Sequence, residues 1–341
     1  MDIQNHFYGH SAAFAAWAGM TRPRHVDGLV QHGWTVASPV ATHFADLAAS
    51  APDGHLFVWS HRARGWSPND PDVNRRFRTT AIGAPFLYLL ATAGPSAEAG
   101  TGPAVVFPFH GTRLHEIEGD QRSFAQQVLD REGPSLVSIH ADDLRRPEIV
   151  DAWLEAGHTI TSAGERRDPA FLGRQLWLLQ HARTVVSNRL ATATMYGAAT
   201  GRPIRIYGPD FRIPGGDEAA SDANLRRLWP EFYEEAPDAD LTRTIAHAEL
   251  GQHELREPAE LKKLLGWSRP DPRPALRYWA GAPLRKAAMV LKITDRPEGT
   301  ASEVEGVSPF TFLKDPLEHL PAMLPRRVVT GPVEPEIMIR P

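Results

Sequence analysis

The stretch from residue 183 to 208 reads RTVVSNRLATATMYGAATGRPIRIYG and indicates a strand, a turn, a helix and a second strand. Its first apolar letters, TVV, form a β-branched run of the kind found in buried strands. Ser187 and Asn188 follow as residues that suit a turn or the start of a helix. The next segment is rich in small residues, which allow close packing on a sheet, and Gly201 and Pro203 end it. The stretch therefore predicts a strand–helix–strand unit of a parallel sheet.

Polar side chains cluster where this helix begins. They are Ser187, Asn188, Thr192 and Thr194. A helix N-terminus presents unpaired backbone N–H groups and about half a positive charge, so such a cluster suits a phosphate or pyrophosphate. The same residue types are also ordinary helix caps. The sequence leaves both interpretations open.

The same alternation of short apolar runs and helical segments extends over residues 102–208, with predicted strands AVVFPF, LVSIH, TITSAG, TVVS and IRIYG. It predicts an α/β fold with a parallel sheet covered on both faces. Ligands of such sheets bind at the carboxyl ends of the strands. The residues at those ends are His110, Gly111, Thr112, His140 to Asp143, Gly164, Glu165, Ser187 and Asn188. A carboxylate at Glu165 could accept a hydrogen bond from a ribose hydroxyl, and a solvated turn with Arg166 and Arg167 is the equal alternative.

The rest of the chain sets the predicted domains. Weaker strand signals at GLVQH, HLFVWS and TTAIG indicate a first α/β domain over residues 1–100, joined by a Gly-, Ala- and Pro-rich linker at 91–103. The second domain is predicted over 101–250. Helices that pack back on the domains are expected over 251–293, and an extended or partly disordered tail over 294–341.

Composition excludes several classes of protein. The chain has 341 residues, 42% of them hydrophobic, which is enough for two domains. A net charge of −4 gives no electrostatic reason to expect nucleic acid as a partner, and the absence of cysteine excludes thiolate catalysis. The first ten residues show no signal-peptide pattern, so we expect a cytoplasmic protein. Walker, dinucleotide G-x-G-x-x-G and nucleophile-elbow motifs are missing, which disfavours ATPases, dehydrogenases and α/β-hydrolases.

The first domain carries a candidate general base. His32 lies in LVQHGW, directly after a predicted strand and before a glycine, which would project its imidazole into a cleft. We expect Gly33, Trp34 and His10 on the acceptor side of that cleft, where the molecule that gives its proton to the base would bind. No metal site is predicted, because His115 and Glu116 beside His110 lack the spacing and the third ligand of known sites.

A basic and aromatic segment at residues 273–292 suggests contact with an anionic membrane surface. It carries Arg273, Arg277, Arg285, Lys286 and Lys292 among apolar residues. Basic residues on a solvated helix are the alternative, because Pro283 interrupts the pattern.

Four motifs, QHGW at 31–34, IGAPFLYL at 82–89, PFHGT at 108–112 and the stretch at 185–208, together resemble a known family. They are similar to the two-domain nucleotide-sugar transferases of the GT-B fold, in the branch of bacterial capsule polysialyltransferases and CDP-glycerol glycerophosphotransferases. The resemblance implies two Rossmann-like domains with parallel sheets and a cleft between them, followed by a helical, proline-rich C-terminal region. Two departures are a glycine rather than a proline after His110, and Asn188 with Arg189 in place of consecutive serines.

The resemblance also implies the activity. His32 would be the base, His110 would contact the donor nucleotide, and the turn at Ser187, Asn188, Thr192 and Thr194 would bind the donor phosphates. The expected enzyme is a metal-independent glycosyltransferase of bacterial surface-polysaccharide synthesis. It would use a nucleotide-sugar donor, CMP- or CDP-linked in that branch, and a glycan acceptor, with no further cofactor. Alternatives are a glycerophosphate-type transferase, a sugar-nucleotide epimerase of the same fold, or a non-catalytic protein that binds sugar nucleotides or polysaccharide.

Overall fold

The computed structural model describes most of the chain. The described residues are 2–36, 38–39, 54–69, 73, 77–96, 99–110, 117–212, 221–269, 272–281, 284, 287–288, 290–291, 293, 314 and 323–341. The predicted site residues Gly111 and Thr112 lie outside them.

The first unit is a parallel sheet in the order β1-β2-β3, made of Leu29–Val30, Gly54–Val58 and Phe77–Ala81. A 3-10 segment, Asp2–Gly9, leads into helix α1, His10–Trp17, which packs against α2, Pro85–Ala93. Apolar residues of α1 and α2 are buried because the two helices cover one another. Pro85 lies in the first turn of α2, where backbone amides have no partner within the helix. Proline suits this position because it has no amide N–H.

The second unit is a six-stranded sheet in the order β8-β7-β4-β5-β6-β9. Its strands are β4 Val105–Val106, β5 Leu136–Ser138, β6 Thr159–Thr161, β7 Val185–Ser187, β8 Ile204–Ile206 and β9 Met338–Ile339. All pairs are parallel except β6 with β9. The connecting helices are α3 Gln121–Glu132, α4 Pro147–Glu155, α5 Phe171–His181 and α6 Thr192–Ala199.

Helices follow the second sheet. They are α7 Asp222–Leu228, α8 Ala239–Glu249, α9 Pro258–Leu264 and α10 Pro272–Leu276. Short 3-10 turns lie at Asp143–Arg145, Pro230–Phe232 and Gln252–Glu254, and a π-helical turn at Arg277–Gly281. Helix α8 packs on α6, whereas the chain after α9 returns to the first unit, where the Trp267 indole donates to the His25 carbonyl at 3.0 Å. None of the described helices is long and apolar enough to cross a membrane.

One hydrophobic core joins the two units. Trp34, Trp59 and Phe86 from the first unit are buried in the same cluster as Leu176 and Tyr196 from the second. The rings of Phe86 and Tyr196 are stacked with centroids 4.1 Å apart and planes at 8°. The two sheets are therefore held by shared apolar contact and not by the linker alone.

The predicted α/β fold is confirmed, because two sheets of mainly parallel strands form and helices cover them. Two details differ from the sequence analysis. The predicted linker at 91–103 begins inside α2, whose apolar residues Pro85 to Leu89 are buried. The end of the chain adds an antiparallel edge strand, β9, and there Thr161 donates its hydroxyl proton to the Ile337 carbonyl at 2.8 Å.

Candidate functional site

The strand order of the second sheet creates a crevice between β4 and β7. The chain leaves β4 toward β5 and β6 on one side, and then crosses back to β7 and β8 on the other. The connections after β4 and β7 therefore run to opposite sides of the sheet. Such a reversal of strand order is where ligands of open α/β sheets bind, beyond the carboxyl ends of the strands.

Two predicted site residues, Ser187 and Asn188, form hydrogen bonds between the loops that border this crevice. Ser187 is buried, and its hydroxyl donates to the Phe107 carbonyl at 2.7 Å and accepts from the Arg189 amide at 3.2 Å. The Asn188 side chain accepts from the Phe109 amide at 2.8 Å and donates to the Pro209 carbonyl at 3.1 Å. Both side chains are used within the protein, so their polar atoms position the crevice loops.

The hydroxyls at the start of α6 are also engaged. Thr194 is fully buried, and its hydroxyl both donates to the Ala191 carbonyl at 2.7 Å and accepts from the Ala191 amide at 2.8 Å. This is a cap, which favours the capping interpretation for the side chains. The amides of Thr192, Ala193 and Thr194 have no hydrogen bond among the described residues. The donors left for a ligand at this helix start are therefore backbone N–H groups.

The His-Gly loop of the first sheet reaches this helix start. The Trp34 amide donates to the Thr192 hydroxyl at 3.2 Å, although the two residues are 158 positions apart. Before Trp34, the buried Gln31 side chain donates to the Gly33 carbonyl at 2.7 Å, and its amide oxygen accepts from the Trp59 amide at 2.9 Å. The carboxyl end of β1 thus faces the carboxyl end of β7, with His32 in the loop between.

Trp34 anchors that loop from inside the core. Its side chain is 6% exposed, and its indole N–H donates to Glu249 at 2.9 Å. Glu249 is buried as well and accepts from the Trp229 indole at 2.9 Å and the Arg64 amide at 3.0 Å. Burial raises the pKa of Glu249, and its three donors act in the opposite direction. Trp34, predicted on the acceptor side, is thus a packing residue in the structure.

Aromatic rings surround His32, which is half-buried. The Tyr8 and Phe7 rings approach its imidazole edge to face, with centroids at 4.9 and 6.1 Å. The His10 ring lies 6.4 Å from it and 6.0 Å from the Trp59 ring. His32, predicted as the base, and His10, predicted on the acceptor side, are therefore brought close together in the structure.

Tyr8 connects this cluster to the second sheet, and sequence reasoning missed it. It has φ of 55°, the one positive φ among the described non-glycine residues, and its amide donates to the Arg166 carbonyl after β6. Its ring contacts that of Phe171 at 4.8 Å. Burial raises the pKa of the Tyr8 phenol, and Arg166 acts in the opposite direction. The sequence signal that could have indicated this turn is Gly9, which follows with φ of 76°.

A histidine pair lies at the ends of β4 and β5. The rings of His110 and His140 are stacked, with centroids 4.4 Å apart and planes at 5°. His110 is exposed, whereas burial first, and then the charge of His110, lowers the pKa of His140 to about 4. His140 is therefore a neutral imidazole at pH 7. The pair borders a small pocket that Phe109, Ile139 and Gln121 also line.

The loop after β6 holds the last two predicted residues. Gly164 has φ of 93°, and a Cβ there would lie 2.9 Å from Arg174, so the position requires glycine. The exposed Glu165 carboxylate pairs with Arg145 at 2.9 Å. The structure thus shows a solvated ion pair for Glu165, with Arg145 as a partner. Among the described residues, no three His, Asp or Glu side chains are grouped as metal ligands.

Comparison with known proteins finds distant structural likeness. No protein-family model matches the chain, and no curated protein does. A calicheamicin glycosyltransferase, CalG4, is 14% identical, with a TM-score of 0.31 over 63% of this chain and 53% of its own. UGT2 of Phytolacca americana, complexed with UDP-2-fluoroglucose and pterostilbene, is 12% identical, with a TM-score of 0.29 over 61% and 49%. The chain spans about half the length of these two proteins.

A third structure aligns over more of the chain. It is a Listeria monocytogenes protein provisionally assigned as a UDP-N-acetylglucosamine 2-epimerase, 13% identical, with a TM-score of 0.34 over 87% of this chain and 80% of its own.

Proposed function

We propose that the chain is a glycosyltransferase of the GT-B type that moves a sugar from a nucleotide-activated donor to a glycan acceptor. The donor phosphates would lie at the start of α6, in the crevice between β4 and β7. The acceptor hydroxyl would lie beside His32 at the mouth of the first sheet.

The contact between Trp34 and Thr192 carries this proposal. It holds the loop after β1 against the start of α6, at 3.2 Å between the Trp34 amide nitrogen and the Thr192 hydroxyl oxygen. Two residues of chain span at most about 7 Å, so His32 lies within side-chain reach of the helix start. A group that can take a proton and a set of unused amide donors therefore share one cleft.

The chemistry follows from these two parts. His32 accepts the proton of the acceptor hydroxyl, whose oxygen bonds to the anomeric carbon of the donor. The bond from that carbon to the phosphate oxygen breaks, and the nucleotide leaves with the electron pair. The free amides and dipole of α6 stabilise the charge that develops on the phosphate, a role that requires no divalent cation.

The donor contacts in this proposal differ from those expected of the polar side chains. Ser187, Asn188 and Thr194 position the loops, since their polar atoms bond within the protein. The ligand contacts pass to the first backbone amides of α6. The exposed His110 ring, stacked on His140, offers a planar surface beside the crevice for the donor nucleotide.

We also propose that the protein works in bacterial surface-polysaccharide synthesis at the inner face of the plasma membrane. Apolar side chains are exposed along residues 276–293, where Leu276, Leu284 and Ile293 are 63%, 69% and 73% exposed. The sequence from 272 to 293 has five basic residues and no acidic one. Such a segment suits an anionic lipid surface.

The membrane proposal is tested by co-sedimentation with vesicles of phosphatidylcholine alone or with phosphatidylglycerol. The intact protein should bind the anionic vesicles, and the double variant Leu276→Ser, Leu284→Ser should bind them less. Equal sedimentation of both proteins would count against the proposal.

The activity is tested in two steps. Thermal shifts with CMP, CDP, UDP, GDP, ADP and their sugar conjugates identify the donor, since a ligand at 100 times its Kd stabilises the fold by about 2.7 kcal/mol. Transfer is then measured for wild type, His32→Ala and the surface control His253→Ala. We expect His32→Ala to retain the donor shift and to lose about 100-fold or more in kcat.

Each other outcome has a distinct meaning. Full turnover by His32→Ala would exclude His32 as the base. Conversion of the nucleotide sugar without an acceptor would make the protein an epimerase. Binding of a donor without turnover in any acceptor mixture would make it a binding component.

A further inference from the structure

Four arginines of the described residues stack over aromatic rings. They are Arg131 over Tyr207, Arg166 over Phe7, Arg189 over Phe109 and Arg226 over Tyr233, with 4.2 to 4.9 Å between the guanidinium carbon and the ring centroid. Arg131 and Arg166 are exposed to solvent, and Arg226 pairs with Asp222 at 2.6 Å. Arg189 differs from all three.

Arg189 is half-buried, and its guanidinium has no hydrogen bond or ion pair among the described residues. Burial lowers its pKa, which reflects the cost of holding a cation away from water. A planar guanidinium has five N–H donors at its edges, and stacking on Phe109 uses only its face. No described residue therefore occupies the N–H edges of the Arg189 guanidinium.

The carboxylates near Arg189 are engaged elsewhere. Asp222 accepts from the Tyr233 hydroxyl at 3.2 Å through one oxygen and from Arg226 at 2.6 Å through the other. Asp210 accepts from Arg212 at 2.8 Å. Asp222 and Asp210 lie near enough to Arg189 to raise its pKa, but neither forms an ion pair with its guanidinium in the described structure.

Arg189 lies in the connection between β7 and α6. It follows β7 by two residues and lies three residues before the first residue of α6. Phe109, under its guanidinium, follows β4, and the Asn188 side chain holds the Phe109 amide at 2.8 Å. The guanidinium therefore spans the crevice between β4 and β7, where the strand order reverses.

We propose that Arg189 binds an oxyanion of the donor, a phosphate or diphosphate group, through the N–H edges of its guanidinium. The proposal rests on the proposed function of the cleft and deepens it, because it assigns a side chain to the phosphates. Arginine suits this role because its fork of donors matches two phosphate oxygens.

The experiment compares four proteins by isothermal titration calorimetry. They are wild type, Arg189→Gln, Arg189→Lys and the matched control Arg131→Gln, which removes a guanidinium stacked at the same 4.4 Å on a different ring. The ligands are the five nucleotides CMP, CDP, UDP, GDP and ADP, the matching nucleosides, and inorganic pyrophosphate. Glutamine keeps a planar group over Phe109, so the fold should survive, and circular dichroism checks it.

We expect Arg189→Gln to weaken nucleotide and pyrophosphate binding at least tenfold and to leave nucleoside binding unchanged. Arg189→Lys should lose less, because the charge remains without the fork, and Arg131→Gln should match wild type. Equal losses for nucleoside and nucleotide would show a structural effect and overturn the assignment.

Two further outcomes separate this assignment from the proposed function. If wild type binds a nucleotide and Arg189→Gln binds it equally well, Arg189 is not a ligand, and the proposed function stands. If wild type binds pyrophosphate through Arg189 but no nucleotide, the anion site stands and the nucleotide-sugar donor does not. Binding of neither ligand by wild type overturns both.

Discussion

Acidification should destabilise the protein through His140, which follows β5 in the second sheet. Its ring is stacked on His110, and its Nδ1 accepts from the Asp142 amide at 3.3 Å. Burial, the neighbouring His110 and Arg166 lower the pKa of His140 to about 4, and Asp142 acts in the opposite direction. The usual pKa of 6.5 applies to the unfolded chain.

The sign of the effect follows from these two values. Between pH 6.5 and 4 the unfolded chain binds a proton at His140 more readily than the folded chain does. The stabilisation is therefore complete above pH 6.5 and is lost as the pH falls toward 4. A difference of 2.5 pH units at about 1.4 kcal/mol per unit gives roughly 3 kcal/mol in total, of which about 2 kcal/mol is lost between pH 7 and 5.

The assay is urea unfolding at pH 7 and pH 5 of wild type, His140→Asn and the surface control His253→Gln. The Asn side chain can still accept from the Asp142 amide and does not titrate. Other buried or half-buried histidines also have lowered pKa values, so the informative quantity is the difference between proteins. His140→Asn should lose about 2 kcal/mol less than wild type on acidification, and His253→Gln should follow wild type. Equal losses for all three would refute the argument.

Three further changes test how the site is held. Gly9→Ala should destabilise the protein more than Gly19→Ala in thermal unfolding. Both glycines have positive φ, where an alanine costs about 1–2 kcal/mol of backbone strain. A Cβ at Gly9 would also lie 2.6 Å from the Pro169 carbonyl oxygen, whereas a Cβ at Gly19 would meet nothing within 4 Å. Ser187→Ala should cost about 1–3 kcal/mol of stability, because it leaves the buried Phe107 carbonyl and the part-buried Arg189 amide without their partner. A loss of donor affinity with unchanged stability would contradict this. Glu249→Gln should lower stability by a similar amount at pH 7. The carboxylate accepts hydrogen bonds through both oxygens, and the amide nitrogen that replaces one of them cannot accept. An unaltered urea midpoint would exclude a stabilising role of Glu249.

The strands and helices of the second sheet could be predicted because their signals are local. Each apolar run of two or three residues is flanked by a turn and followed by an amphipathic or small-residue helix. The edge strand β9 gave no such signal, since Met338 and Ile339 are exposed and pair with β6 from the far end of the chain. The pairing of β9 with β6 could be found only from the folded structure, because no local pattern links the two strands.

The candidate site was predictable in part, for the same physical reason. His32, His110 and Ser187 lie at or after the ends of parallel strands, so the strand pattern alone places them at the carboxyl ends of the two sheets. Tyr8 and Glu249 act through contacts with residues 158 and 215 positions away, which no local pattern encodes. The sequence also could not decide what each hydroxyl bonds to, because capping and ligand binding use the same residue types.

The structure separates these two uses. Side chains that can form a bond within the protein, as Ser187, Asn188 and Thr194 do, are satisfied there and fix the loops to one another. Two sets of groups have no partner among the described residues: the first amides of α6, which have no preceding turn to bond to, and the edges of the Arg189 guanidinium. In our proposal these are the groups that bind the ligand. Because these groups are donors and a cation, they would suit the oxyanion that we propose as the ligand, although Asp210 and Asp222 lie near Arg189. Loss of a loop-fixing side chain should therefore move the anion site as a whole, whereas loss of Arg189 should weaken anion binding and leave the loops in place.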